Sequence, residues 1–172
     1  MKRYLLFALS LSVLFLYSSC NKDDDDSVRN EFTLNGDSYQ LAKGFMTEYG
    51  SNGNGSFDFD VELTSSTVNY NDFDGSFSGT GDVIYFDLNT SLETGLVNGT
   101  YNFSSDRNAF TFVDGAVATN YDADTESGDV FAVVGGSVEI EIRGNETYFS
   151  WNLTISNGTT VTGEFQGILR NV

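Results

Sequence analysis

Carboxylates are the one chemically versatile group this sequence offers in number: 25 Asp and Glu stand against 8 Lys and Arg, with no histidine and a single cysteine. Asp58, Asp60 and Glu62 occupy alternate positions between Phe57, Phe59, Val61 and Leu63, and Glu139 and Glu141 do the same between Val138, Ile140 and Ile142. Two carboxyl groups at a suitable separation are enough to hydrolyse a glycoside, one as acid and the other as nucleophile or base. Strict alternation with apolar residues, however, puts these acids on the wet side of a half-buried strand, where they are expected to form a solvated sheet face. The missing imidazole removes Ser–His and Cys–His nucleophile pairs, and with them the ligand sets that zinc and copper favour. The expectation is therefore a protein that is not an enzyme.

Two loops place oxygen ligands close together. Asp122, Asp124, Glu126 and Asp129 surround Gly128, and Asn69, Asn71, Asp72 and Asp74 precede Gly75. Hard cations such as calcium take clustered oxygens. Counted from Asp122, the glycine of the first loop falls at the seventh position, whereas an EF-hand turn needs it at the sixth. Acidic loops are expected in so acidic a chain without any ion, so no metal and no cofactor is expected. Gly79-Thr80-Gly81 comes before a strand rather than between a strand and a helix, which removes a nucleotide-phosphate reading.

The first residues carry an address. Lys2 and Arg3 are followed by an apolar run from Tyr4 to Tyr17, then Ser18, Ser19 and Cys20. The run is shorter than the roughly 20 residues that cross a bilayer as a helix, and its basic start and small-residue end are those of a secretory signal. A single cysteine cannot form an intramolecular disulfide. The segment resembles a bacterial lipoprotein signal, with Tyr17 where such signals prefer leucine. That resemblance implies that Cys20 is diacylated and becomes the new N-terminus. Lys22 and the run Asp23, Asp24, Asp25, Asp26 resemble the export signal of Bacteroidetes surface lipoproteins, which implies a domain on the outer leaflet of the outer membrane, facing the exterior. The chain then divides into a signal peptide over 1–19, a lipidated acidic tether over 20–30 and a single domain over 31–172.

Cleavage before Cys20 would leave 6 of the 8 basic residues and all 25 acids, a formal charge of −19. A surface of that sign repels nucleic acid and anionic headgroups. The expected partners are the outer membrane, through the lipid on Cys20, and a surface glycan or protein, with no nucleic acid.

The elements that carry these residues have a period of two almost throughout. Asn35-Gly36 between Phe32–Leu34 and Asp37–Leu41 predicts a type I′ hairpin. A polar loop is expected from Ser65 to Gly81, then strands at Val83–Leu88, Gly99–Phe103, Phe110–Val113, Val117–Tyr121 and Val130–Val134. A two-residue Gly144-Asn145 turn sets Ile140 opposite Phe149 and Val138 opposite Trp151. A three-residue Ser156-Asn157-Gly158 loop, with Gly158 left-handed, sets Trp151 opposite Gly163, Leu153 opposite Val161 and Phe149 opposite Phe165. A one-residue slip would exchange buried and exposed faces, which selects this register. The expected fold is all-β, an antiparallel β-sandwich or flattened up-and-down barrel of about nine or ten strands. The late Thr162-Gly163-Glu164-Phe165-Gln166-Gly167 segment and the meander around it resemble small Bacteroidetes lipoprotein domains, some of them calycin-like barrels. The expected function is a non-catalytic surface binding or accessory module in nutrient or glycan capture. Its rivals are a calycin-like carrier of a small apolar ligand and a carboxylate-based glycan hydrolase.

Overall fold

The structure, a computed structural model, describes residues 27–172. Cys20, Lys22 and Asp23 to Asp26 lie outside the described residues, as does the whole apolar run. The strands are β1 (Glu31–Leu34), β2 (Asp37–Gln40), β3 (Lys43–Ser51), β4 (Phe57–Thr64), β5 (Asn69–Asn71), β6 (Ser76–Ser78) and β7 (Thr80–Thr90). They continue with β8 (Gly99–Phe103), β9 (Thr111–Asp122), β10 (Ser127–Arg143), β11 (Glu146–Ile155), β12 (Thr160–Gly167) and β13 (Leu169–Asn171). Eleven of them form one curled sheet in the order β13-β3-β4-β7-β9-β8-β10-β11-β12-β1-β2, while β5 and β6 form a separate ribbon.

The all-β expectation holds, but the sheet is mixed and has more strands than expected. Two pairings are parallel, β13 with β3 and β8 with β9. Only Ile168 separates β12 from β13, so the chain passes from β12, two strands in from one end of the sheet, to pair with β3 at the other, curling the sheet into a half-barrel. The additional strands β5, β6 and β13 have three residues each, too few to impose a period. In the opposite sense, Val130–Val134 and Val138–Arg143 merge into the single 17-residue β10. Its ladder shifts register between Val133 and Gly135; before the shift β10 pairs with β9, and after it with β8.

The turn chemistry sets the local register as expected. Asn35 and Gly36 both have positive φ, 55° and 91°, the pair a type I′ turn requires. Gly158 is left-handed at φ 85°, and the amide of Ile155 donates to the Thr159 carbonyl across Ser156-Asn157-Gly158. Trp151 pairs with Gly163, Leu153 with Val161 and Phe149 with Phe165. Ile140 faces Phe149 and Val138 faces Trp151.

The concave face holds the core. Phe32, Phe86, Tyr101, Phe112, Phe149 and Phe165 are fully buried among Leu63, Ile84, Leu88 and Leu153. Contacts run across the curl as well as along it: Phe86 on β7 meets Trp151 on β11 edge to face at 6.0 Å, and Phe112 on β9 edge to face at 5.9 Å. Aromatic rings in this geometry add attraction beyond the area they bury.

Gly163 is one of the places where backbone and ring come too close for a side chain. A Cβ built there would lie 2.5 Å from the Trp151 ring and 2.5 Å from the Glu31 carbonyl oxygen on β1. Gly163→Val should therefore destabilise the domain by about 1–3 kcal/mol, the usual cost of overpacking. Equilibrium urea unfolding checks this, and a midpoint equal to wild type would contradict the packing described.

Candidate functional site

The acids of β4 do not stand on an open wet face. Asp58, Asp60, Glu62 and Thr64 point to the convex side, opposite Asn89, Asp87, Tyr85 and Val83 of β7. The Ser65–Gly81 segment, expected to be a loop, instead contains the β5–β6 ribbon, which lies over that convex side. Lys43 fixes its base, since its Nζ donates to the Ser66 and Val68 carbonyls at 2.7 Å and to Asn69 Oδ1 at 2.9 Å. Phe45 of β3, Tyr70 of β5 and Phe77 of β6 fix its body, with ring centroids 5.1 to 6.0 Å apart. These contacts bury Thr64 to 1% exposure and leave Glu62 half-buried.

Two environments result along one row. At its first end Arg107, from the segment between β8 and β9, grips two carboxylates: its Nη1 donates to Asp58 Oδ2 at 2.5 Å and Asp87 Oδ1 at 3.0 Å, and its Nη2 to Asp87 Oδ2 at 2.7 Å. Ser56 Oγ and Asn54 Nδ2 hold the Arg107 carbonyl in turn. Burial, then the neighbouring Asp87 carboxyl, pushes Asp58 up to about 6 against the pull of Arg107. Burial likewise raises Asp60, although the Tyr85 hydroxyl donates to its Oδ1 at 3.0 Å. Among the described residues, Asp58, Asp60 and Asp87 are the one group of three acids whose ligand oxygens lie within 4.8 Å of one another. A metal held there would have to displace the Arg107 guanidinium, which already supplies the positive charge.

At the other end the row enters a groove of about 560 Å³ between the ribbon and the sheet. Glu62 and Thr64 of β4, Val83 and Tyr85 of β7 and Ala116 and Ala118 of β9 line it from the sheet side. Val68 and Phe77 line it from the ribbon side, and Tyr121, Glu126 and Val130 from the β9–β10 hairpin. The alanines make the space, since Ala116 and Ala118 stand opposite Tyr85 and Val83 and are too small to fill the depth those side chains define. Glu62 Oε2 and Thr64 Oγ1 are buried without a hydrogen-bond partner. Burial, with a contribution from the Asp60 charge, pushes the Glu62 carboxyl up to about 7.

The other acids singled out in the sequence do not converge. Glu139 and Glu141 are exposed, and Glu141 pairs with Arg143 at 2.9 Å. In the β9–β10 turn Asp122 Oδ1 accepts the amides of Asp124 and Thr125. Asp124 reaches across to the amide of Gly79, while Asp129 lies on β10 opposite Thr119. In the other loop Asn71 and Asp74 close local turns, and Arg170 pairs with Asp72. Asp122, Asp124, Asn71 and Asp74 thus spend oxygens on backbone amides, and Asn69 and Asp72 spend theirs on Lys43 and Arg170. Arg107, Asp87, Thr64 and the ribbon were missed by sequence reasoning. The signal for the ribbon was Tyr70 and Phe77 flanking the Asn71–Gly75 turn; Arg107 carried none.

No family model, no curated protein and no solved structure matches this chain.

Saturating calcium should move the melting midpoint by less than the several degrees that a tight native-state ligand produces; a larger shift, abolished by Asp122→Ala with Asp124→Ala, would contradict the turn assignment. For Glu62 the unfolded carboxyl titrates near 4.5 and the folded one near 7. Between those values the folded state keeps a proton that the unfolded state has released, so this group's contribution to stability falls as pH rises through that window. Glu62→Gln should remove that slope and stabilise the domain above neutrality by up to about 3 kcal/mol, at about 1.4 kcal/mol per pH unit. Urea midpoints of mutant and wild type at about pH 5 and about pH 8 check the sign, and a mutant less stable at the higher pH would contradict it.

Proposed function

We propose that this protein is a non-catalytic binding module, anchored by lipid on Cys20 to the outer membrane and facing the cell exterior, which takes its ligand on the convex side of the curled sheet. The observation that carries the binding reading is where space lies. The concave side is packed with aromatic rings, from Phe32 through Phe86 to Phe165, whereas the convex side has a groove under the ribbon, floored by alanines and holding unpaired polar oxygens. A calycin-like carrier would hold its ligand where those rings sit. A glycan hydrolase needs a pair of free carboxyls, and Asp58 and Asp87 are held by Arg107 and Asp60 by Tyr85, so none of these three is free for that role.

The anchoring rests on the sequence. Lys22 and Asp23 to Asp26 form the export address, and the tether to Asn30 lets the domain stand away from the bilayer. A diacylated cysteine holds a protein stably, since two chains suffice where one is marginal.

Cys20→Ala should leave the protein unprocessed or release it from the membrane fraction. Replacing Asp23 to Asp26 by alanine should leave it lipidated and folded but protected from protease added to intact cells. Wild-type protein that survives protease on intact cells, yet is cleaved once the envelope is opened, would sink the exterior assignment.

A further inference from the structure

The ligand class can be read from what the groove offers and what it lacks. Among the described residues no Lys or Arg lines it, and its two carboxyls are Glu62 and Glu126. An anionic ligand would therefore meet only like charge, in a chain whose formal net charge is already −17. A wholly apolar ligand would fit Val83, Ala116 and Ala118 but would leave Glu62 Oε2 and Thr64 Oγ1 unpaired, and buried polar atoms without partners are costly. Both atoms can accept a hydrogen bond, and a primary ammonium brings three donors and no acceptor. The last torsion of a glutamate is soft, so the Glu62 carboxylate can turn toward a ligand without moving β4. Phe77, Tyr85 and Tyr121 supply aromatic rings, which attract cations as well as apolar stems. The volume, about 560 Å³, falls within the roughly 300–1,000 Å³ of small-molecule sites.

We infer that the groove beneath the β5–β6 ribbon binds a small primary amine in its ammonium form, the nitrogen on the Glu62 carboxylate and an apolar or aromatic stem along Val83, Ala116 and Ala118. This inference rests on the convex groove being the binding site. It is independent of where the protein is exported, because its test uses purified protein.

The test is calorimetric titration of the full chain in a non-ionic detergent, against a detergent blank, with phenethylammonium, 2-phenylethanol and phenylacetate at about pH 8, where Glu62 is ionised. The ammonium should bind about tenfold or more tightly than the alcohol, the size expected when a charge-assisted hydrogen bond is added, and the acid should not bind. Glu62→Gln should erase the preference for the amine over the alcohol. Val130→Trp, at a groove residue that is 50% exposed and so tolerant of change, should abolish binding of both, and Glu139→Gln, on an exposed part of the sheet, should change nothing. Lowering the pH below neutrality should weaken the amine and spare the alcohol. Equal binding of amine and alcohol, blocked by Val130→Trp, would overturn the ammonium assignment while leaving the groove as the site. Binding of the amine that persists unchanged in Val130→Trp, or no binding of any of the three, would overturn the inference.

Discussion

The indole of Trp151 can sit where it does only because residue 163 has no side chain. Gly163 brings the backbone of β12 against the ring on one side, and Phe86 closes on it from β7 across the concave face. This contact joins strands far apart in the sheet order, and so fixes how tightly the sheet curls. Everything on the concave side follows that curvature: β12 is carried round until β13 can pair with β3, and Gly44 of β3 comes against Leu169, Phe165 and Leu63. A side chain at either glycine would hold these strands apart.

A sheet that buries its concave face in this way leaves a convex face to be covered by something else. Most of that face is polar and exposed, as Glu139 and Glu141 are. Over β3, β4 and β7 it is not, because Lys43 and the Phe45–Tyr70–Phe77 cluster pull the ribbon down onto it. The covered strip keeps its carboxylates, an arrangement that works against stability unless each finds a counter-charge or keeps its proton. Both solutions occur across β4 and β7. Arg107 neutralises the Asp58–Asp87 pair, and Glu62, with no cation in reach among the described residues, retains its proton up to about 7. Acids with raised pKa values beside a groove are more frequent at functional sites than elsewhere.

The strongly acidic composition has a different consequence for the two ends of this strip. Net negative charge favours a cationic ligand over an anionic one across the whole surface, and most in clefts, where the field is focused. What distinguishes the groove from the Asp58–Asp87 end is that, among the described residues, no Lys or Arg lines it. Arg107 has already taken the place a ligand's charge would occupy at one end, whereas at the other the oxygens of Glu62 and Thr64 have no partner.

By itself the sequence determined whatever depends on neighbours along the chain. The Asn35-Gly36 turn, the left-handed Gly158 and the alternation of Phe57 to Leu63 are local, and they set the hairpins, the inward faces and the pairing of Trp151 with Gly163. Strand identity was legible for the same reason, since period two needs only a few consecutive residues. Tertiary structure alone decided which hairpins share a sheet edge, because β8 with β9 and β13 with β3 pair in parallel and no turn signal specifies such a partner. It also decided the site. Alternation put Asp58, Asp60 and Glu62 together on the face away from the core and so expected them in water, but whether that face meets water depends on a ribbon only three residues long in each strand. The counter-charge of Asp58 and Asp87 comes from Arg107, 49 and 20 residues away. Burial is a property of what covers a residue, and here the cover comes from segments whose positions are fixed only when the sheet curls.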